Sequence, residues 1–116
     1  MGFPTGGSKQ ESSVSGTATV DISGWRETVI QVTVRDVNTG VDTAAALMIM
    51  PSGASEYRKA KDKDGAAITV DLSATPADAD WDFLIEGSID FVKLVSAQSG
   101  DDFTLHVGAA RGDFVR

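Results

Sequence analysis

Few residues in this chain carry reactive chemistry, and their spacing limits what they could do. His106 is the single histidine among 116 residues. It stands between Leu105 and Val107 on the outward side of a strand pattern, and no Gly-x-Ser-x-Gly elbow supplies it with a nucleophile. Without cysteine or neighbouring carboxylates one imidazole cannot hold zinc, so it reads as a surface strand residue. Asp78, Asp80 and Asp82 alternate as a calcium loop begins. Phe83 then occupies the sixth position, where glycine is needed, and Ile89 the twelfth, where glutamate is needed. Asp62, Asp64 and Gly65 match the middle of such a loop, but its first position is Ala60. Both groups read as solvated turn carboxylates. Glu86 with a nearby aspartate would make a glycosidase pair only at a defined separation in space. No motif supports an enzyme, and no cofactor or metal is expected.

One basic cluster stands out. Arg58, Lys59, Lys61 and Lys63 fall within six residues. On a strand, Lys59, Lys61 and Lys63 share one face, with Arg58 and Asp62 on the other. Lysines on an edge strand discourage unwanted pairing. The same cluster could meet an acidic partner, including the acidic half of a neighbouring copy. No aromatic residues interleave with the lysines, so a single-stranded nucleic-acid groove is not supported. Arg111-Gly112-Asp113 spells an integrin-type tripeptide, too short to mean much in a glycine-containing tail. Trp25 and Trp81 each open a strand. They read as the rim of a core, with a sugar-stacking platform as the functional alternative.

The elements that would position these residues are strands. From Trp81 onward three follow in sequence: Trp81 to Gly87, Asp90 to Ser96 and Asp102 to Ala109. Val92, Leu94 and Ser96 alternate against Phe91, Lys93 and Val95, and Phe103, Leu105 and Val107 face inward. Gln98-Ser99-Gly100-Asp101 turns the chain between the last two. Earlier, Val14 to Ile22 reads as one strand with Val14, Ala18, Val20 and Ile22 on one face. Trp25 to Val37 places Ile30, Val32 and Val34 inward. Asn38-Thr39-Gly40 suggests a hairpin loop into a strand over Val41 to Met50, which Pro51 ends. Asp64-Gly65 is a second hairpin signal, returning through Ala66 to Leu72 with Ile68, Val70 and Leu72 on one face. A connection containing Pro76 spans Ser73 to Asp80. With about eight short strands and no convincing helix, the chain is expected to be all-β: an antiparallel β-sandwich or jelly roll, or a small barrel.

The organisation expected is one domain over residues 14–110, an extended N-terminal arm over 1–13 and a tail over 111–116. The arm holds Phe3 and Pro4 but too little apolar surface to fold by itself. Cysteine is absent, which removes disulfides and thiolate metal sites. No secretory signal pattern is visible and no apolar run approaches the roughly twenty residues that span a bilayer, so synthesis in the cytoplasm is expected. The net charge is −7. It is uneven, with eight acids against seven bases to Val70 and nine against three from Asp71. Such a surface repels phosphate backbones, so neither nucleic acid nor membrane is an expected partner.

Glu86-Gly87-Ser88-Ile89-Asp90, with Phe91-Val92-Lys93-Leu94-Val95 and Asp102-Phe103-Thr104-Leu105-His106-Val107, resembles small virion proteins of tailed bacteriophages. The resemblance covers roughly the last third of the chain. It implies a structural role in the virion, most directly as a capsid decoration or cement protein on the head, with tail or connector placement as variants. The partners it implies are the major capsid protein or other virion proteins and copies of the chain itself. Phe3, Pro4, Arg58, Lys59, Lys61 and Lys63 are the expected partner-binding residues, through the arm and the basic cluster.

Overall fold

The computed structural model describes residues 7–26, 28–74 and 81–109, with only the backbone described at Trp81 and Asp82. Phe3, Pro4, Asp78, Asp80 and the Arg111-Gly112-Asp113 tripeptide lie outside the described residues. The strands run in the order β1 (Ser8–Ser12), β2 (Thr17–Asp21), β3 (Val29–Thr39), β4 (Ala45–Pro51), β5 (Arg58–Lys59), β6 (Thr69–Val70), β7 (Trp81–Glu86), β8 (Ile89–Val95) and β9 (Asp102–Ala109). They form two antiparallel sheets, β1-β9-β3-β7 and β2-β8-β4-β5, and β6 also pairs with β4. The two sheets enclose one hydrophobic core, so the fold is an antiparallel β-sandwich.

The pairing is nested. β1 pairs with β9, β2 with β8, β3 with β7, and β4 with both β5 and β6. The chain thus doubles back on itself as one long hairpin that bends between β4 and β5. The β3–β9 and β4–β8 ladders then wind that hairpin into two layers. Most connections therefore cross from one sheet to the other.

Period-two alternation places the core. Ile30, Val32 and Val34 of β3 face Leu47 of β4 and Val92 and Leu94 of β8, and each is at most 1 % exposed. Phe103, Leu105 and Val107 of β9 are equally buried. Each such side chain contributes about 1.5–3 kcal/mol on leaving water. Val37 is also buried, although it is out of phase with Val34. A bulge accounts for this. The β3–β9 register shifts between Arg35 and Thr39, and Asp36 takes a left-handed φ of 52°, which aspartate tolerates better than most residues.

Several features differ from the sequence expectation, beginning with Trp25, which lies ahead of β3 and does not open it. Residues 8–12 of the expected arm form β1, the edge of the first sheet. The single strand expected over Val14 to Ile22 is broken by a tight turn at Ser15-Gly16, both with positive φ (54° and 80°), and Val14 is 75 % exposed. Primed turns of this kind suit the twist of the strands they join. Asn38-Thr39-Gly40 does not make a hairpin, because β3 runs on to Thr39 and the chain then crosses to the other sheet. The Asp64-Gly65 hairpin does form: Lys61 bridges Ala67, and Asp62 and Ala66 share a backbone hydrogen bond of 2.9 Å. This hairpin is an excursion from one interrupted strand. Ala60 N–H donates to the Leu47 carbonyl and Leu47 N–H to the Ile68 carbonyl, so β5 and β6 continue each other along β4.

The crossings at one end meet on Asp101, which is 3 % exposed. Its carboxylate accepts the N–H groups of Val41 (2.8 Å) and Asp42 (3.0 Å) and the Ser96 hydroxyl (2.7 Å). Asp42 in turn accepts N–H groups from Ala97 (2.7 Å) and Ala44 (2.9 Å). Nearby the backbone runs too close for any side chain: a Cβ at Gly40 would sit 1.8 Å from the Leu72 carbonyl oxygen.

Asp101→Asn turns an amide donor toward backbone donors. It is expected to cost about 2 kcal/mol in urea unfolding, whereas Asp102→Asn on the surface stays within about 0.5 kcal/mol. Gly40→Ala is expected to cost about 1–3 kcal/mol or more, because the Leu72 backbone must move. A wild-type urea midpoint for either Asp101→Asn or Gly40→Ala would contradict this account of the crossing.

Candidate functional site

The sandwich is closed along one side and open along the other. On the closed side β1 and β2 are the edge strands. Lys9, in register with inward-facing Val107, donates from Nζ to the Asp21 carbonyl at 2.8 Å and so ties the two edges together. Inward charges of this kind also discourage further pairing. On the open side the edges are β7 of the first sheet and β5 of the second. A groove of about 870 Å³ lies there, lined by Ile49, Arg58, Lys59, Lys61, Asp62, Lys63, Leu84, Ile85 and Glu86.

All four predicted basic residues therefore face one cleft. Arg58 and Lys59 sit on β5, Lys61 at the base of the hairpin excursion and Lys63 in its turn, and all are exposed. They do not share one strand, because the strand is interrupted after Ala60. Asp62 is occupied with its own turn, where Oδ1 accepts the N–H groups of Asp64 (2.8 Å) and Ala66 (3.0 Å). Glu86 lies across the cleft at the end of β7. Four cations against two carboxylates make this groove a positive region on a chain of net charge −7. Sequence reasoning found the cations, weighed Glu86 only as half of a carboxylate pair, and missed Ile49, Leu84 and Ile85. No local signal marks those, since which strand ends up opposite β5 depends on the strand order.

The outer faces of the two sheets differ. On the second sheet Ala46, Met48 and Met50 of β4 and Phe91 and Val95 of β8 are half-buried and adjacent in register. Lys93 lies among them with its ammonium 3.8 Å from the Tyr57 ring centroid, a cation–π contact. Burial, and then the charge of Asp21, pushes the Tyr57 hydroxyl up from its ordinary value. On the first sheet the corresponding face carries Gln31, Thr33, Thr104 and His106. His106 is on this outer face as expected, but it is half-buried and its Nδ1 has no hydrogen-bond partner. Trp25 packs half-buried against the core.

Among the described residues no group of three or more histidines, cysteines or carboxylates could hold a metal ion. The best-ordered carboxylates are used in loops and turns. Among the described residues no helix is long and apolar enough to cross a membrane. No family model, curated protein or solved structure matches this chain.

Two titrations separate cleanly by pH. Backbone hydrogen bonds from Ala97, then Ala44, hold the Asp42 carboxyl below its ordinary value. Its contribution is present at neutral pH and is lost as pH falls below about 4, where the unfolded chain takes up the proton first. Burial, and then the Arg35 charge, holds His106 below the usual imidazole value. The folded state therefore resists its protonation, and stability declines as pH drops below about 6.5. The urea midpoint is expected to fall between pH 7 and pH 5 in the wild type and to fall less in His106→Gln. Equal slopes for the two proteins would remove His106 as the cause.

Proposed function

We propose that this chain is a non-enzymatic structural protein of a tailed-bacteriophage virion, most directly a capsid decoration or cement protein that stabilises the head lattice. The observation that carries this reading is the nested pairing of β1–β9, β2–β8, β3–β7 and β4–β5/β6. One long hairpin wound into two layers, of four and five strands, follows the plan of a jelly roll, a fold widely used in viral capsid proteins and in lectins. That likeness is an analogy of fold, which does not by itself imply function, so the surfaces must carry the argument. Here the carboxylates with the best geometry stabilise turns and crossings, while an open basic groove and a half-buried apolar sheet face are available for protein contacts. The virion-protein resemblance falls on β8 and β9, which form ladders at the centre of each sheet. Trp25 packs against the core, which favours scaffold over sugar platform. Copies of the chain, the major capsid protein or other virion proteins are the proposed partners.

Two measurements test this. Mass spectrometry of purified particles is expected to find the chain in many copies per virion, and its absence would discard the assignment. Deleting residues 1–6, which include Phe3 and Pro4, leaves the β1–β9 ladder whole. That variant is expected to keep its urea midpoint but to bind particles less. Deleting residues 1–12 removes β1 as well and is expected to cost on the order of 2 kcal/mol in lost ladder hydrogen bonds. Unchanged particle occupancy after the short deletion would take the arm out of the contact.

A further inference from the structure

The sheet edges are not equivalent. β1 is short and polar, and Lys9 crosses from it to the Asp21 carbonyl at the end of β2. β5 has only two residues, both cationic, and the hairpin excursion interrupts it. β7 has no such device. Its six residues, Trp81–Glu86, pair only with β3 among the described strands, which leaves one row of backbone N–H and C=O groups without a ladder partner. Leu84 on β7 is 59 % exposed. An unblocked edge that carries an exposed apolar side chain is a template for another strand.

Charge says which strand. Arg58, Lys59, Lys61 and Lys63 stand across the groove from β7, and they make no ion pair among the described residues. We propose that the groove receives an extended acidic polypeptide segment, which adds as a strand to the free edge of β7 and turns its carboxylates toward these four cations.

The register constrains the segment further. Side chains of an added strand alternate between the two sides of the sheet. One set faces the gap between the layers, where Ile49, Ile85 and the cations lie. The other set lies on the outer face beside Leu84 and Glu86, where a like charge is disfavoured. The segment should therefore carry acids at every second position with apolar residues between them. About six residues, near 20 Å, match the length of β7. Backbone pairing supplies affinity and the alternate side chains supply selectivity, as in other strand-addition complexes. Phosphate polymers lack the backbone donors and acceptors that this edge needs, and the acidic surface repels them. The inference concerns the occupant of the groove and holds independently of the particle assignment, which is read by mass and not by edge pairing.

The test uses the full chain and a capped octapeptide of alternating glutamate and valine. Two controls are the lysine–valine counterpart and a glutamate–valine peptide N-methylated at every residue, which keeps its charge but offers no backbone donor on either edge. Hydrogen exchange is expected to slow roughly tenfold or more at β7 amides on binding, equivalent to about 1.4 kcal/mol of protection. Affinity should fall with added salt and by tenfold or more in Lys59→Glu/Lys61→Glu. Lys63→Glu, in an exposed turn, reports the charge effect if the double variant does not fold. The proposal is overturned if the glutamate–valine peptide does not bind at millimolar concentration or binds without protecting β7. It is equally overturned if either control peptide or a single-stranded oligonucleotide binds as tightly, or if charge reversal changes nothing.

Discussion

The carboxylate of Asp101 is the constraint on which the layered arrangement rests. A chain whose strands keep changing sheets must cross the end of the sandwich repeatedly, and each crossing exposes backbone donors that no ladder can satisfy. Asp101 takes two of those donors, from Val41 and Asp42, together with the Ser96 hydroxyl. Ser96 Oγ in turn accepts the Gln98 N–H at 2.9 Å, and Asp42 accepts from Ala97. One buried charge thereby connects the β3–β4 crossing with the β8–β9 crossing. Hydrogen bonds to an ionised acceptor are stronger than neutral ones, which suits a site where the alternative is several orphaned N–H groups. Gly40 and Gly16 belong to the same constraint, because each lets one crossing pass against the backbone of another.

Holding the crossings leaves the two long sides of the sandwich to be managed separately. The β1–β2 side is closed by Lys9 and by the tight turn at Ser15-Gly16, which turns the chain from one sheet into the other with no slack. The β5–β7 side has no such tie, and the hairpin excursion after Ala60 adds cations there without adding a ladder to β7. An all-β domain that leaves a six-residue edge unblocked runs a risk of self-association. A surface of net charge −7 limits that risk by mutual repulsion, while the local positive groove still allows an acidic partner to approach.

The legible parts of the sequence were those that depend on near neighbours. Alternation through Ile30–Val34 and Phe103–Val107 placed those side chains correctly, because one face of each strand is buried and a one-residue slip would expose every apolar group. The Asp64-Gly65 hairpin was legible for the same local reason. What was not legible required knowing which strands pair. Asn38-Thr39-Gly40 has hairpin composition, yet the bulge at Asp36 and the crossing to β4 override it. Ser15-Gly16 carried a turn signal that the flanking valines and threonines masked. The basic cluster was visible as four cations. Its relation to β7 was not, since Leu84 and Ile85 read as an ordinary strand until strand order puts them at an edge.

That edge also bears on the binding role proposed for this chain. A reactive carboxylate or imidazole needs a partner group and room for a substrate beside it. The carboxylates of Asp21, Asp42, Asp62 and Asp101 accept backbone N–H or hydroxyl donors within five residues or across a crossing. His106 faces away from the groove, on the opposite surface of a different strand. On the open side of the sandwich, one backbone row along β7 has no ladder partner and the cations along β5 and its hairpin have no ion pair among the described residues. Both deficits are met at once by a polypeptide in extended form bearing alternate carboxylates, and by no small molecule of comparable simplicity.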